Sequence, residues 1–384
     1  MTDPITTGTL IVGAGMAGLR TAESLRQNGY SDPIALIGAE NHPPYTRPPL
    51  SKEVLRGDAE AVSATLRGAD ELATLGVDLW LGHAAGELDI EARSVDLDDG
   101  SQVTFDNLVI ATGATPRRLP GAAFERAHVL RTIDDCLDLQ RDLVGAATVA
   151  IVGAGFIGLE VAASARARGC EVTVLDVLPE PLARVLPVDA GHVVRRLHED
   201  NGVAFRLGSA VDADASLDAD VVVVGIGAVA ETAWLAGSGL TIDNGVVCDA
   251  SLRAADRVWA VGDVARWAQA DGTSLRVEHW TNATEQPHHV ARDIAAATAT
   301  PFETVPYFWS DQYDAKIQSL GTGGADDEFT VVWGSLDEPK WVALLHDGDR
   351  LTGVVGMRAP GRVMKLRPLL AARASYDEAL ASMS

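Results

Sequence analysis

Two stretches of this sequence place glycines and a carboxylate where they could hold a dinucleotide. Residues 10–19 read LIVGAGMAGL and residues 150–159 read AIVGAGFIGL, so Gly13, Gly15 and Gly18 recur as Gly153, Gly155 and Gly158, with Phe156 and Ile157 between the last two. In a G-x-G-x-x-G turn the first glycine permits the tight bend and the second lets the backbone approach a pyrophosphate. The third lets the following helix pack on its strand. The helix N-terminus offers N–H groups and the positive end of its dipole to the phosphates. A carboxylate roughly 20 residues further on can accept hydrogen bonds from ribose hydroxyls. Glu40 and Asp176 stand at about that spacing.

For these residues to act, each turn must join a strand to a helix. A short β-branched run precedes each motif, an Ala-rich amphipathic segment follows, and second strands are predicted over 34–37 and 172–175. Two further predicted strands end in Thr112-Gly113 and Gly262-Asp263, where glycine admits a ligand and a side chain can meet its hydroxyls. Residues 329–333, 341–346 and 351–357 read as strands of a C-terminal domain, with a hairpin turn at 347–350. The predicted class is α/β: two Rossmann-like dinucleotide-binding domains plus a C-terminal α+β domain.

Composition excludes other classes. At 384 residues and 47% hydrophobic, the chain has material for two or three cores. Lys and Arg number 31 against 54 Asp and Glu, and a net charge of −23 argues against nucleic acid or an anionic membrane held by whole-molecule attraction. Cys136, Cys170 and Cys248 lie far apart with no Cys-x-x-Cys, which gives neither a disulfide framework nor a zinc ribbon and suggests a reducing cytoplasm. Met1 to Thr7 lack a basic region before the first apolar run, so no export is expected. The longest uncharged stretch, 143–159, is broken by glycines and reads as strand, turn and helix rather than a membrane span. None of the nine histidines has metal-ligand spacing. His42, His83, His279, His288 and His289 are therefore expected to be surface or satisfied residues, with no metal.

The segments 44–52 (PYTRPPLSK), 111–113 (ATG), 153–160 (GAGFIGLE), 261–263 (VGD), 276–280 (RVEHW) and 308–313 (FWSDQY) resemble those of the pyridine-nucleotide-dependent flavoprotein reductases with two dinucleotide-binding domains. More narrowly they are similar to the ferredoxin reductases of bacterial oxygenase systems, the putidaredoxin reductase type. The resemblance spans essentially the whole chain. It implies an FAD domain at 1–115 and 245–305, an NAD domain at 116–244 inserted between them, and a C-terminal domain at 306–384. FAD contacts are implied for Gly13, Gly15, Gly18, Glu40, Arg47, Lys52, Ala85, Thr112, Gly113, Arg131, Gly262, Asp263 and Trp280. NAD contacts are implied for Gly153, Gly155, Phe156, Ile157, Gly158, Glu160, Asp176, Arg184 and Gly227. Lys52 would sit at the reactive edge of the flavin paired with Glu160, and Trp309 where nicotinamide or the electron acceptor approaches. A cation there suits the negative charge of a reduced flavin, and a lysine kept from water needs a counter-charge.

The implied reaction is hydride transfer from NADH to FAD, followed by single electrons to a 2Fe–2S ferredoxin serving a P450 or Rieske oxygenase. Alternatives are an NADH oxidase or diaphorase acting on oxygen or quinones, and a redox-sensing binding protein resembling apoptosis-inducing factor. The thiol mechanisms of related reductases need a Cys pair after the first nucleotide unit or one Cys just before a Pro-Tyr, and 41–45 here read NHPPY. Asp176 would repel a 2′-phosphate, so NADH is expected over NADPH, although Arg184 leaves room for some NADPH use. Ferredoxins are commonly acidic, so docking needs a local positive surface. Arg358, Arg362, Lys365, Arg367 and Arg373 supply one with no acidic residue between them. At about 100° per residue Arg362, Lys365 and Arg373 share one helical face unless Pro368 breaks the helix. A monomer or homodimer is expected. After Gly225-Ile226-Gly227 the family's Pro-Asn is replaced by 229–232 (VAET), and the C-terminal domain is expected to end early for the group.

Overall fold

The computed structural model describes residues 5–211 and 217–383; Met1 to Pro4, where the N-terminal reading begins, lie outside them. The chain divides into two compact units, Met1–Thr46 with Ala64–Thr115 and Ala228–Glu303, and Arg47–Ser63 with Pro116–Gly227 and Thr304–Ser384.

The first unit is built on an eight-stranded sheet. Its parallel part runs Val258–Ala260, Gln102–Ile110, Ile5–Val12, Ile34–Gly38 and Val77–Leu81, with Ile11 beside Val109 on one side and Leu36 on the other. All three are fully buried, as parallel strands covered on both faces require. Helix Met16–Gln27 turns Leu19, Ala22 and Leu25 inward at helical spacing and packs along helix Asn282–Ala296.

The second unit holds a four-stranded parallel sheet, ordered Val203–Leu207, Glu171–Asp176, Thr148–Val152, Val221–Val224, with helices Phe156–Ala167 and Val188–Asp200. It also holds a five-stranded antiparallel sheet, ordered Tyr307–Gln312, Ala315–Gly321, Arg350–Met357, Trp341–Asp347, Glu328–Gly334. One core joins Leu159 and Val193 of the helices to Ile317, Trp341 and Val355 of this sheet. Burying each such leucine or isoleucine contributes about 1.5–3 kcal/mol. The turn expected at 347–350 is present, with Gly348 at φ 57° and Asp347 paired with Arg350. The strands Tyr307–Gln312 and Ala315–Gly321 complete the sheet beyond those read from sequence.

One expectation is corrected. Arg362, Lys365 and Arg373 do not share a single helical face. Helix Pro360–Lys365 ends, a second helix spans Arg367–Ala371, and Arg373 follows it at φ 54°. Pro368 has no N–H to bond four residues back, and its ring crowds that carbonyl, so the first helix cannot continue.

Cys136, Cys170 and Cys248 are buried and unpaired. The Cys136 thiol donates to the Leu50 carbonyl at 3.1 Å. Burial pushes Cys136 up to about 11 and Cys248 up to about 12, and raises Cys170 as well. Among the described residues no helix is long and apolar enough to cross a membrane.

Candidate active site

In the first unit, strands Ile5–Val12, Gln102–Ile110 and Val258–Ala260 are neighbours, so Gly13, Thr112-Gly113 and Gly262-Asp263 emerge side by side at their C-terminal ends. That is where open parallel sheets bind ligands. Gly13 adopts φ 113°, and a Cβ there would lie 2.2 Å from the Ala111 carbonyl oxygen; a Cβ on Gly18 would lie 1.9 Å from the oxygen of Gly13. The turn alone demands both glycines. A Cβ on Gly15 would meet nothing within 4 Å, so Gly15 borders open space at the start of helix Met16–Gln27. That helix has no side-chain cap and no acidic residue in its first turn, which leaves its leading N–H groups to an anionic group.

The rest of the cradle is braced by side chains. Glu40, two residues beyond strand Ile34–Gly38, accepts from the Tyr45 hydroxyl at 2.5 Å. The Thr112 hydroxyl donates to the Glu231 carbonyl at 2.7 Å, and the Gly262 N–H donates to the buried Gln286 Oε1 at 2.7 Å. Arg276 donates to the Asp263 carbonyl at 2.8 Å. Trp280 is 38% exposed and donates through Nε1 to the Thr46 hydroxyl at 3.3 Å. Half-buried Ala85 opens strand Ala85–Asp89. Uncapped helix donors, open space at the second glycine and a nearby carboxylate fit the pyrophosphate and ribose of FAD.

The second unit repeats the turn. Gly153 has φ 113° and would place a Cβ 2.3 Å from the Gly225 oxygen, Gly158 would place one 2.1 Å from the Gly153 oxygen, and Gly155 has ordinary room at 3.8 Å. Helix Phe156–Ala167 again begins without a side-chain cap or an early acid. Asp176 ends strand Glu171–Asp176, where its carboxylate accepts from the Ala154 N–H at 2.7 Å and the Leu178 N–H at 2.9 Å. It therefore also braces the glycine turn, a role its spacing does not reveal. Ile157 and Arg184 are exposed, and Gly227 has φ 101°.

Lys52 and Glu160 meet in the second unit. Lys52 follows the tight turn Pro48–Ser51 and places Nζ 2.7 Å from Glu160 Oε2, their side chains 13% and 5% exposed. The Ser51 hydroxyl donates to the same oxygen at 2.5 Å, the Ser310 hydroxyl donates to Oε1 at 2.6 Å, and Lys52 also donates to the Pro48 carbonyl at 3.1 Å. The buried carboxylate thus faces a cation and two hydroxyls, the company a charge needs when taken from water. Arg47 donates to the Arg131 carbonyl in the same unit.

Alternation along Tyr307–Gln312 sends Phe308, Ser310 and Gln312 to one face of the strand and Trp309 to the other. Phe308 meets Phe156 at 4.7 Å between ring centres. Trp309 stacks on Tyr307 at 5.8 Å, with Lys316 Nζ 5.6 Å from its ring and held by Asp311 at 2.7 Å. Sequence reasoning missed Ser51 and Ser310 as partners of Glu160, although both lie in segments that carried the resemblance. It also missed His198, which bonds to Gln312 from 114 residues away. Of the histidines it did single out, His288 bonds to the Ser24 hydroxyl and His289 to the Thr300 carbonyl, while His83 lies 3.2 Å from Asp99. Among the described residues no cluster of His, Cys, Asp or Glu could hold a metal ion.

The chain belongs to the pyridine nucleotide-disulphide oxidoreductase family, whose model matches residues 7–287, and it carries the reductase C-terminal domain at residues 307–382. It is 37% identical to the rhodocoxin reductase of Rhodococcus erythropolis over 382 residues, covering 94% of this chain and 89% of that one. It is 38% identical to the ferredoxin–NAD(+) reductase component of the anthranilate 1,2-dioxygenase system of Burkholderia cepacia over 387 residues, covering 96% and 95%. Its fold matches the reductase in a crystal structure of the covalent putidaredoxin reductase–putidaredoxin complex, with a TM-score of 0.91, 31% identity and 98% of each chain covered.

Proposed function

We propose that the protein is an FAD-dependent NADH:ferredoxin reductase that feeds a P450 or Rieske oxygenase. One observation carries this reading: a single chain holds two glycine turns of the same geometry, one per unit, each opening an uncapped helix at the end of a parallel strand. Two dinucleotides are thereby accommodated, FAD by the first and NADH by the second. When bound, FAD takes up an electron pair as hydride and releases the electrons one at a time, which is what links a two-electron donor to a one-electron iron–sulfur carrier.

The protein's own groups bind and orient. Gly13, Gly15 and Gly18 admit the FAD pyrophosphate, Glu40 takes its ribose, and Thr112, Gly113, Gly262 and Asp263 meet the rest of the cofactor. Arg47, Arg131, Ala85 and Trp280 are further contacts in this reading. Lys52 supplies positive charge at the reactive edge of the flavin, and Glu160 holds that ammonium in place. Asp176 selects a free 2′-hydroxyl, giving NADH preference. Trp309, with Tyr307 and Lys316, forms the wall that nicotinamide or acceptor approaches. Hydride transfer needs alignment far more than proton transfer, so no acid–base triad is called for.

The ferredoxin docks on Arg358, Arg362, Lys365 and Arg367. Arg362 lies 4.3 Å from the Trp333 ring, Lys365 reaches the Ser382 carbonyl at 3.3 Å, and both are exposed. Three unpaired buried thiols accord with a cytoplasmic setting. Stopped-flow reduction of the yellow protein by NADH, followed by mixing with oxidised 2Fe–2S ferredoxins, tests the reading. Rapid bleaching and then ferredoxin reduction are expected, and a colourless protein that takes up no FAD ends it. High aerobic NADH turnover without ferredoxin would favour an oxidase.

A further inference from the structure

Glu160 is the end of a hydrogen-bonded chain that hydride transfer as described does not require. The Tyr313 hydroxyl lies 3.2 Å from His198 Nδ1, His198 Nε2 lies 2.8 Å from Gln312 Oε1, and Gln312 Nε2 lies 3.1 Å from Ser310 Oγ. The Ser310 hydroxyl then reaches Glu160 Oε1 at 2.6 Å. His198, Ser310 and Gln312 are wholly buried.

The amide of Gln312 sets the direction of every link. Its oxygen faces the imidazole and can only accept, so Nε2 of a neutral His198 carries the proton and Nδ1 accepts from Tyr313. Its NH2 faces Ser310 and can only donate, which leaves the Ser310 proton for the carboxylate. All four donors therefore point toward Glu160. Burial lowers His198 to about 4, so the ring is neutral as this direction demands. Tyr313 is the first of two turn residues between strands Tyr307–Gln312 and Ala315–Gly321, at φ 54°. That conformation favours glycine and disfavours an aromatic residue, yet here it brings the hydroxyl to His198.

We propose that Ser310, Gln312, His198 and Tyr313 are positioning residues: a one-way series of donors that fixes Oε1 of Glu160, so that Oε2 stays turned to Ser51 and Lys52. The proposal rests on the reading of Lys52 and Glu160 as the pair acting at the flavin. A merely structural chain would fasten the hairpin to helix Val188–Asp200 without affecting Lys52.

The test compares wild type with Gln312→Met, Gln312→Glu and Glu160→Gln, all as FAD-loaded protein, by two measurements. In histidine-labelled protein, 15N NMR should show His198 of the wild type neutral and protonated at Nε2 at neutral pH, and Gln312→Met should shift the proton toward Nδ1. In stopped flow, Gln312→Met should slow the limiting rate of flavin reduction by about tenfold, the scale of one neutral hydrogen bond lost, while Kd for NADH changes less than about twofold. Gln312→Glu alters one heavy atom and, ionised, turns the NH2 donor into an acceptor that competes with Glu160 for the Ser310 proton and adds a buried negative charge, so it should slow reduction at least as much and serves as the second variant if Gln312→Met does not fold. A wild-type His198 that is charged or protonated at Nδ1 overturns the proposal, as does an unchanged rate in a folded Gln312 variant. If Glu160→Gln slows reduction and the Gln312 variants do not, only the chain is refuted. If Glu160→Gln itself leaves the rate unchanged, the role given to the pair fails, and the chain's role with it.

Discussion

Lys52 and Glu160 lie 108 residues apart in sequence and 2.7 Å apart in the fold. Removing one partner of a buried ion pair leaves the other charge uncompensated. Glu160→Ala is therefore expected to destabilise the protein by about 3 kcal/mol in urea unfolding and to slow reduction by NADH at saturating concentration. On the proposed reading, Asp176 selects the nucleotide as well as bracing the glycine turn. Asp176→Ala should lower the preference for NADH over NADPH, read as the ratio of kcat/KM values. It should also cost about 1–3 kcal/mol of stability, because two backbone N–H groups of the glycine turn and its neighbour lose their acceptor. A wild-type enzyme whose kcat/KM for NADPH equals that for NADH would refute the role given to this carboxylate.

At the scale of elements, the glycines of one turn should behave differently. Gly158→Ala puts a methyl group against the Gly153 carbonyl and is expected to cost about 1–3 kcal/mol or to prevent folding. Gly155→Ala has room and should fold normally while weakening NADH binding, a contrast that thermal melts and NADH titration would expose. On the basic segment, Arg362→Glu with Lys365→Glu should slow ferredoxin reduction while sparing a small neutral dye; equal loss of both activities would exclude docking there. The glycine turns, their strands and their carboxylates were legible in sequence because they recur at fixed short spacing. The single basic face was conditional on an unbroken helix through Pro368, and the break between Lys365 and Arg367 removes that condition. The hairpin at 307–321 escaped because its turn places Tyr313 where a sequence reader looks for glycine. The His198–Gln312 contact had no local signature, since it forms only when a helix of the parallel sheet packs against the C-terminal hairpin.

For the molecule as a whole, the −23 charge should shape both partner binding and response to acid. Against an acidic ferredoxin, long-range repulsion and local attraction oppose one another. Moderate salt should slow association less for the double Glu variant than for wild type, or even speed it. Two histidines, half-buried His279 in the first unit and fully buried His198 in the second, are each lowered by desolvation from 6.5 to about 4. Between those values the unfolded chain binds protons that the folded chain refuses, so stability rises with pH across the window and falls on acidification. Each site should cost about 2 kcal/mol between pH 7 and pH 5, and His198→Gln should remove its share of that slope in urea midpoints. A slope unchanged in the variant would show that His198 is not the group responsible.

The buried cysteines bear on how long such a catalyst survives. A reduced flavin exposed to air leaks some of its electrons to oxygen as peroxide, which attacks thiolates rather than thiols. At pH 8 a thiol raised to about 11 is ionised in roughly one molecule per thousand, and one raised to about 12 in roughly one per ten thousand. The native protein should therefore resist both its own by-product and alkylating reagents. Since Cys248 lies in the first unit and Cys136 and Cys170 in the second, any labelling that does occur would report which unit had opened.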